Sequence, residues 1–72
     1  MNNIKYLRDP IYKGKLNELI SFFNASQIGE TFENAFQGRK SLKVGEEIIS
    51  YDFIYKLYRS SDGLYVLFML DL

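Results

Sequence analysis

The 72 residues contain neither cysteine nor histidine. Without cysteine no disulfide can brace the fold. The common zinc and copper ligand sets are excluded too, because they draw on cysteine and histidine. A Cys nucleophile and a His base are equally out of reach. Proline occurs once, at Pro10, and alanine only at Ala25 and Ala35. The nine basic side chains are balanced by nine acidic ones. A general nucleic-acid binder carries a basic surplus, and a mimic of nucleic acid an acidic one; this chain has neither. No run approaches the roughly 18 apolar residues of a membrane span. Met1 to Pro10 shows no apolar stretch followed by a small-residue cleavage site. A membrane partner and a secretory leader are therefore not expected. The lack of cysteine accords with a reducing, cytoplasmic setting.

What is present points to a packed core. Apolar residues make up 47% of the chain and aromatics 17%, with six Phe and six Tyr, which argues against intrinsic disorder. Large rings must do the packing that alanine cannot, and they bury more surface per ordered residue. The length allows one small domain, 1–72, and excludes two. A domain of this size buries only about 60% of the surface its unfolded chain exposes. With disulfides and the usual metals excluded, self-association or docking on a partner is the remaining reinforcement. Lys, Asn, Ile, Tyr and Phe far outnumber Ala, Gly, Pro and Arg. That bias toward AT-rich codons suggests a low-GC bacterium or its phages.

The first element is expected at Asp9-Pro10, where Asp can cap a helix and Pro suits the first helical position. Tyr12, Leu16, Leu19, Ile20 and Phe23 follow at helical spacing, and Asn24-Ala25-Ser26 reads as the stop, giving a helix over about 10–24. A second helix is expected over about 27–37. There Ser26 is a fair N-cap and Ile28, Phe32, Ala35 and Phe36 share a face. Gly38 stands where a left-handed C-terminal residue is wanted. From Arg39 the period changes to two. Strands are expected over about 40–44, 47–59 and 64–71, with Ser60-Ser61-Asp62-Gly63 as a turn between the last two. Residues 46–58 also fit a helix, but Tyr, Phe and Ile dominate and no cap is evident, so strand is preferred. The fold class is α+β, an N-terminal helical hairpin packed on a three-stranded antiparallel meander. Charges fall in alternating blocks: basic over 1–15, acidic over 16–38, then Arg39, Lys40 and Lys43 before Glu46, Glu47 and Asp52. Such blocks suggest that neighbouring elements complement one another.

The last strand is apolar on both faces, Leu64, Val66, Phe68, Leu70 and Leu72 on one side and Tyr65, Leu67 and Met69 with Asp71 on the other. A strand with one solvated face alternates apolar and polar residues. Two helices can cover one face only. The other needs the N-terminal segment with Ile4, Tyr6 and Leu7, or a second molecule.

No constellation carries catalysis. Ser41 with Lys43 or Lys40 is formally a Ser–Lys pair, but such pairs are frequent by chance. Glu46, Glu47 and Asp52 match no metal-loop spacing and read as a solvated turn. The five glycines are isolated and form no phosphate loop. The expectation is a non-enzymatic chain with no cofactor and no metal. The best binding-type stretch is Tyr55-Lys56-Leu57-Tyr58-Arg59, where Tyr55, Leu57 and Arg59 share one strand face and Lys56 and Tyr58 the other. Aromatics interleaved with cations serve protein interfaces, where Tyr and Arg dominate hot spots. They also serve single-stranded nucleic-acid platforms. The partner-binding residues expected are Tyr55, Lys56, Tyr58, Arg59, Tyr65, Leu67 and Met69. The function expected first is a protein-binding module whose partner is a host protein or a second copy. Such a module would be a phage or mobile-element product that binds and inhibits a host nuclease or defence effector. A nucleic-acid-binding regulator and a structural subunit of a larger assembly are the alternatives.

Overall fold

The computed structural model describes residues 5–25, 32–50 and 54–71. Four strands, β1 (Tyr12–Gly14), β2 (Glu47–Ile49), β3 (Tyr55–Arg59) and β4 (Tyr65–Met69), form one sheet in the order β1-β4-β3-β2, antiparallel at every step. One helix, α1 (Leu16–Ala25), and a single helical turn, α2 (Phe32–Ala35), complete the described elements. The class is α+β, as the period change at Arg39 implies. The helical hairpin and the three-stranded sheet are corrected to one helix and four strands.

Each correction has a physical cause. Residues 10–14 do not begin the helix. Both edges of β4 carry carbonyls that need donors. β3 serves one edge, and the chain before α1 serves the other: Ile11 N–H donates to Leu67 O at 2.9 Å and Leu7 N–H to Met69 O at 2.8 Å. Lys5 O accepts from Asp71 N–H at 2.9 Å, and Tyr6 bridges to Leu70. Pro10 falls in the interruption between these pairings and β1, on a sheet edge, where a missing N–H is tolerated. Gly14, a poor helix former, lets the chain turn into α1. A Cβ there would stand 2.7 Å from the Tyr12 hydroxyl, which instead closes over Gly14 to donate to Lys15 O at 2.7 Å. Residues 5–14, with Tyr6 and Leu7, thus run along the sheet edge and not across its face, while Ile4 lies outside the described residues.

The helix proper is set by Leu16, Leu19, Ile20 and Phe23, whose spacing makes one apolar stripe. Leu19 and Phe23 are buried, and Leu16 and Phe22 pack against the same core. The second helix, expected over 27–37, is confined among the described residues to the turn Phe32–Ala35; Ser26 and Ile28 lie outside them. Its end forms a Schellman arrangement, with Gly38 N–H on Glu33 O and Gln37 N–H on Asn34 O, both at 3.1 Å. Gly38 is left-handed as expected, at φ 80°, and Gln37 at the C′ position before it is left-handed too, at φ 54°.

The strand expected over 40–44 is an irregular connection. Of its alternating residues only Leu42 is buried, while Val44 is 56% exposed at the tip of a turn. That turn is closed by Glu46 N–H on Lys43 O at 2.9 Å, with Gly45 at φ 85° in the position that requires it. Its amide then joins β3 through Gly45 N–H to Arg59 O at 2.7 Å. The strand expected over 47–59 is split into β2 and β3, and the two pair with each other as a hairpin. The joint is tied by Ser50, whose N–H donates to Tyr55 O at 3.1 Å and whose buried hydroxyl accepts from Tyr55 N–H at 3.2 Å. The β3–β4 hairpin forms where Ser60-Ser61-Asp62-Gly63 places it, with Gly63 at φ 84° and Ser60 N–H on Leu64 O at 2.8 Å.

The core lies on one face of this sheet. Tyr12, Leu67, Leu57 and Ile48 stand opposite one another in a row that crosses all four strands. Leu19, Phe23, Ala35, Phe36 and Leu42 pack onto that row. Phe23 meets Tyr55 edge-on with ring centroids 5.8 Å apart, and Phe36 meets Tyr65 at 6.0 Å. Leu19, Phe36, Leu57 and Leu67 are fully excluded from solvent. Side chains of this kind stabilise by about 1.5–3 kcal/mol each when buried.

Candidate functional site: the open face of the sheet

Because side chains alternate across a strand, the register that sends Leu57, Leu67 and Ile48 into the core sends their neighbours to the opposite face. No described helix or strand covers that face. One row on it runs Lys13, Val66, Tyr58, Glu47 from edge to edge, and the next runs Phe68, Lys56, Ile49. A third brings Tyr6 beside Leu70, whose N–H donates to Ile54 O at 2.8 Å. Ile49 and Ile54 are about two-fifths exposed, Tyr58, Phe68, Leu70 and Tyr6 are half-buried, and Val66 is buried between its neighbours on the sheet. The middle is therefore apolar and aromatic, with formal charges at Lys56 in the centre and at Lys13 and Glu47 on opposite edges.

The rings are ordered. Tyr58 and Phe68 lie parallel, with centroids 6.1 Å apart and planes within 1°. The Lys56 ammonium sits 5.2 Å from the Tyr6 ring and 5.3 Å from the Phe68 ring, within the range in which ring faces attract a cation. The Tyr6 hydroxyl is buried and has no hydrogen-bond partner among the described residues. Its pKa is raised above the usual tyrosine value, first by burial and then by the Glu47 carboxylate.

The residues singled out by sequence divide between the two faces. Lys56 and Tyr58 stand together on the open face. Tyr55, Tyr65 and Leu67 are buried on the helix-covered face, and Met69 packs against the same core. Arg59 points to that face too. Its guanidinium donates to Leu42 O at 2.9 Å and to Gly63 O at 3.0 Å and lies 5.2 Å from the Tyr65 ring. It holds the 39–46 connection and the β3–β4 turn together and is turned away from Lys56. The open-face residues that sequence reading passed over as binding residues are Tyr6, Lys13, Glu47, Ile49, Val66 and Phe68. A signal for them existed: Lys56 occupies the alternate position to Leu57, so residues cross-strand from Lys56 belong to the outer side.

The other clusters are structural. Arg39 forms a bidentate ion pair with Glu46, and Glu46 Oε1 also accepts from Lys43 N–H at 2.9 Å. The Arg39 hydrogen bond, followed by the Lys43 amide, lowers the Glu46 pKa to about 2. Glu46 thus clamps its turn, while Glu47 points to the open face and Asp52 lies outside the described residues. Among the described residues no three acidic side chains converge as metal ligands, and no helix is long and apolar enough to cross a membrane. No family model, curated protein or solved structure matches the chain.

Proposed function

We propose that this chain is a non-enzymatic protein-binding module that docks its partner on the open face of the sheet. One observation carries the reading: the face formed by Ile49 of β2, Ile54 and Tyr58 at β3, Phe68 of β4 and Tyr6 beyond it is apolar and aromatic and has no cover among the described residues. Apolar patches of this kind mark interaction surfaces, and half-exposed Tyr and Phe rings are typical interface anchors. The nucleic-acid reading has less support. Of the cations it needs, Lys56, Arg59, Arg39, Lys40 and Lys43, Arg59 is bonded on the far face, Arg39 is paired with Glu46, and Lys40 and Lys43 stand on the 39–46 connection, so only Lys56 lies beside the rings of the open face. The finer reading, a mobile-element product that blocks a host nuclease or defence effector, rests on the codon bias alone.

Affinity capture with three forms of the protein tests the proposal: wild type, Ile49→Lys on the open face, and Val44→Lys in the turn before β2. Val44 is also exposed and apolar but lies off the face. The expected result is a protein retained by wild type and by Val44→Lys and lost with Ile49→Lys, with all three equally folded by circular dichroism. Retention that ignores Ile49→Lys, or loss with Val44→Lys as well, refutes the assignment of the face.

A further inference from the structure

We infer that the occupant of the open face is a second copy of the chain, packed sheet on sheet about a two-fold axis parallel to the strands. The inference rests on the reading that this face docks a protein, and it names that protein. Its basis is the placement of the three charges. In the row Lys13, Val66, Tyr58, Glu47 the cation stands on the β1 edge and the anion on the β2 edge. Two sheets stacked face to face by a two-fold axis must have that axis in the plane between them. An axis along the strands exchanges the two edges. It brings Lys13 over the partner's Glu47 and Glu47 over the partner's Lys13, and it sets Tyr58 opposite the partner's Val66, which is already buried within its own copy. A closed two-fold interface needs such self-complementarity.

The central charge selects the same axis. In the row Phe68, Lys56, Ile49 the axis along the strands sets Lys56 opposite the partner's Phe68 ring, adding a second copy's π-face to the rings that already flank it. An axis perpendicular to the strands through that row would instead set Lys56 against Lys56 and Lys13 against its own edge. Lys13 and Glu47 are exposed, and neither forms an ion pair among the described residues of its own copy, although Lys13 also attracts Asp62 of the β3–β4 turn. Stacked sheets lie about 10 Å apart and within about 30° of parallel, a gap that Lys and Glu side chains span from opposite sides.

The face is small. Four strands at about 4.8 Å and a span of five residues at about 3.3 Å give a patch roughly 19 by 17 Å. At roughly 320 Å² per copy, about 650 Å² for the pair, such an interface falls well below the low end of specific contacts, about 1,200 Å² in total, and weak association, with dissociation in the range of about tens to hundreds of micromolar, is expected.

Sedimentation velocity on the full chain, from about 5 µM to about 1 mM, tests the proposal. Wild type is expected to pass from monomer to dimer across that range. Lys13→Glu and Glu47→Lys each place like charges at both corners and are expected to weaken the dimer about tenfold. The double variant K13E/E47K restores opposite charges and is expected to regain the wild-type constant. An equimolar mixture of the two single variants is expected to associate more strongly than either alone. A wild type that stays monomeric throughout, or a dimer indifferent to these exchanges, overturns the proposal. If the monomer still captures a different protein in an Ile49-dependent way, the docking reading survives with another occupant. If it captures none, both readings fall together.

Discussion

Replacing Tyr65 by Phe removes one oxygen atom from the buried core. Tyr65 is 2% exposed and Leu42 1%. The Tyr65 hydroxyl accepts a hydrogen bond from the Leu42 amide at 3.1 Å, joining β4 to a connection that has no ladder of its own. The phenylalanine ring fills nearly the same volume, so no cavity term arises. The Leu42 N–H, however, loses its acceptor in a place that water does not reach. An unsatisfied buried donor costs about 1–3 kcal/mol. In a domain this small each kcal/mol lowers Tm by about 4–8 °C, so a drop of roughly 5–20 °C is expected. Urea unfolding should give the same loss with an unchanged slope, because the surface exposed on unfolding is the same. Tyr58→Phe is the matched control. Its ring lies on the open face, half-exposed, and a change within about 0.5 kcal/mol is expected. A Tyr65→Phe protein as stable as the Tyr58→Phe control would refute the argument that Tyr65 anchors the 39–46 connection.

Three further outcomes follow from the same contacts. Glu46, held at about 2 against an ordinary value of 4.5, has a depressed folded-state pKa. Its contribution is present above about 4.5 and lost as pH falls from there toward 2; Glu46→Gln is expected to flatten that part of an acid-unfolding curve. The side chains are exposed, so added salt is expected to shrink the difference. Gln37 adopts a left-handed conformation that costs about 1–2 kcal/mol for an ordinary residue. Gln37→Gly is therefore expected to raise stability by up to about 1 kcal/mol after the added freedom of the unfolded chain is counted, and so to raise Tm slightly, and a lower Tm would contradict the Schellman assignment. Leu67→Ala removes a fully buried side chain from the row that crosses every strand. A loss of about 2–5 kcal/mol by urea titration is expected.

How far the sequence could be read depended on whether each pattern was local. The stripe Leu16, Leu19, Ile20, Phe23 repeats at the helical period and needs no distant partner. The Ser60–Gly63 turn between apolar runs is equally self-contained, and both appear in the structure. Tyr12 to Gly14 was misplaced because Tyr12 is in phase with the α1 stripe. Only the need of β4 for donors on its second edge makes the segment a strand. Ser41 to Val44 alternates correctly but has no neighbouring strand, and the Gly45 turn diverts it. The break inside 47–59 was hidden because Ile, Tyr and Phe fill both the strands and the stretch between them. For the candidate site, the alternation of β3 correctly separated Lys56 and Tyr58 from Tyr55, Leu57 and Arg59. It could not say which side the helix would take. Arg59 suggested an exposed face, yet its guanidinium is bonded to two carbonyls on the covered side.

The most direct test of the open face uses the absence of cysteine, which lets a single introduced thiol report on one position. Ile49→Cys places the thiol on the open face and Val44→Cys places it in the turn away from it. The measurement is the rate at which each is alkylated as unlabelled wild-type protein is added. The rate at Cys-substituted position 49 is expected to fall as wild type covers the face, while the rate at position 44 stays constant. Equal rates at both positions, unchanged by the highest concentration of wild type, would contradict the assignment of this face to a second copy.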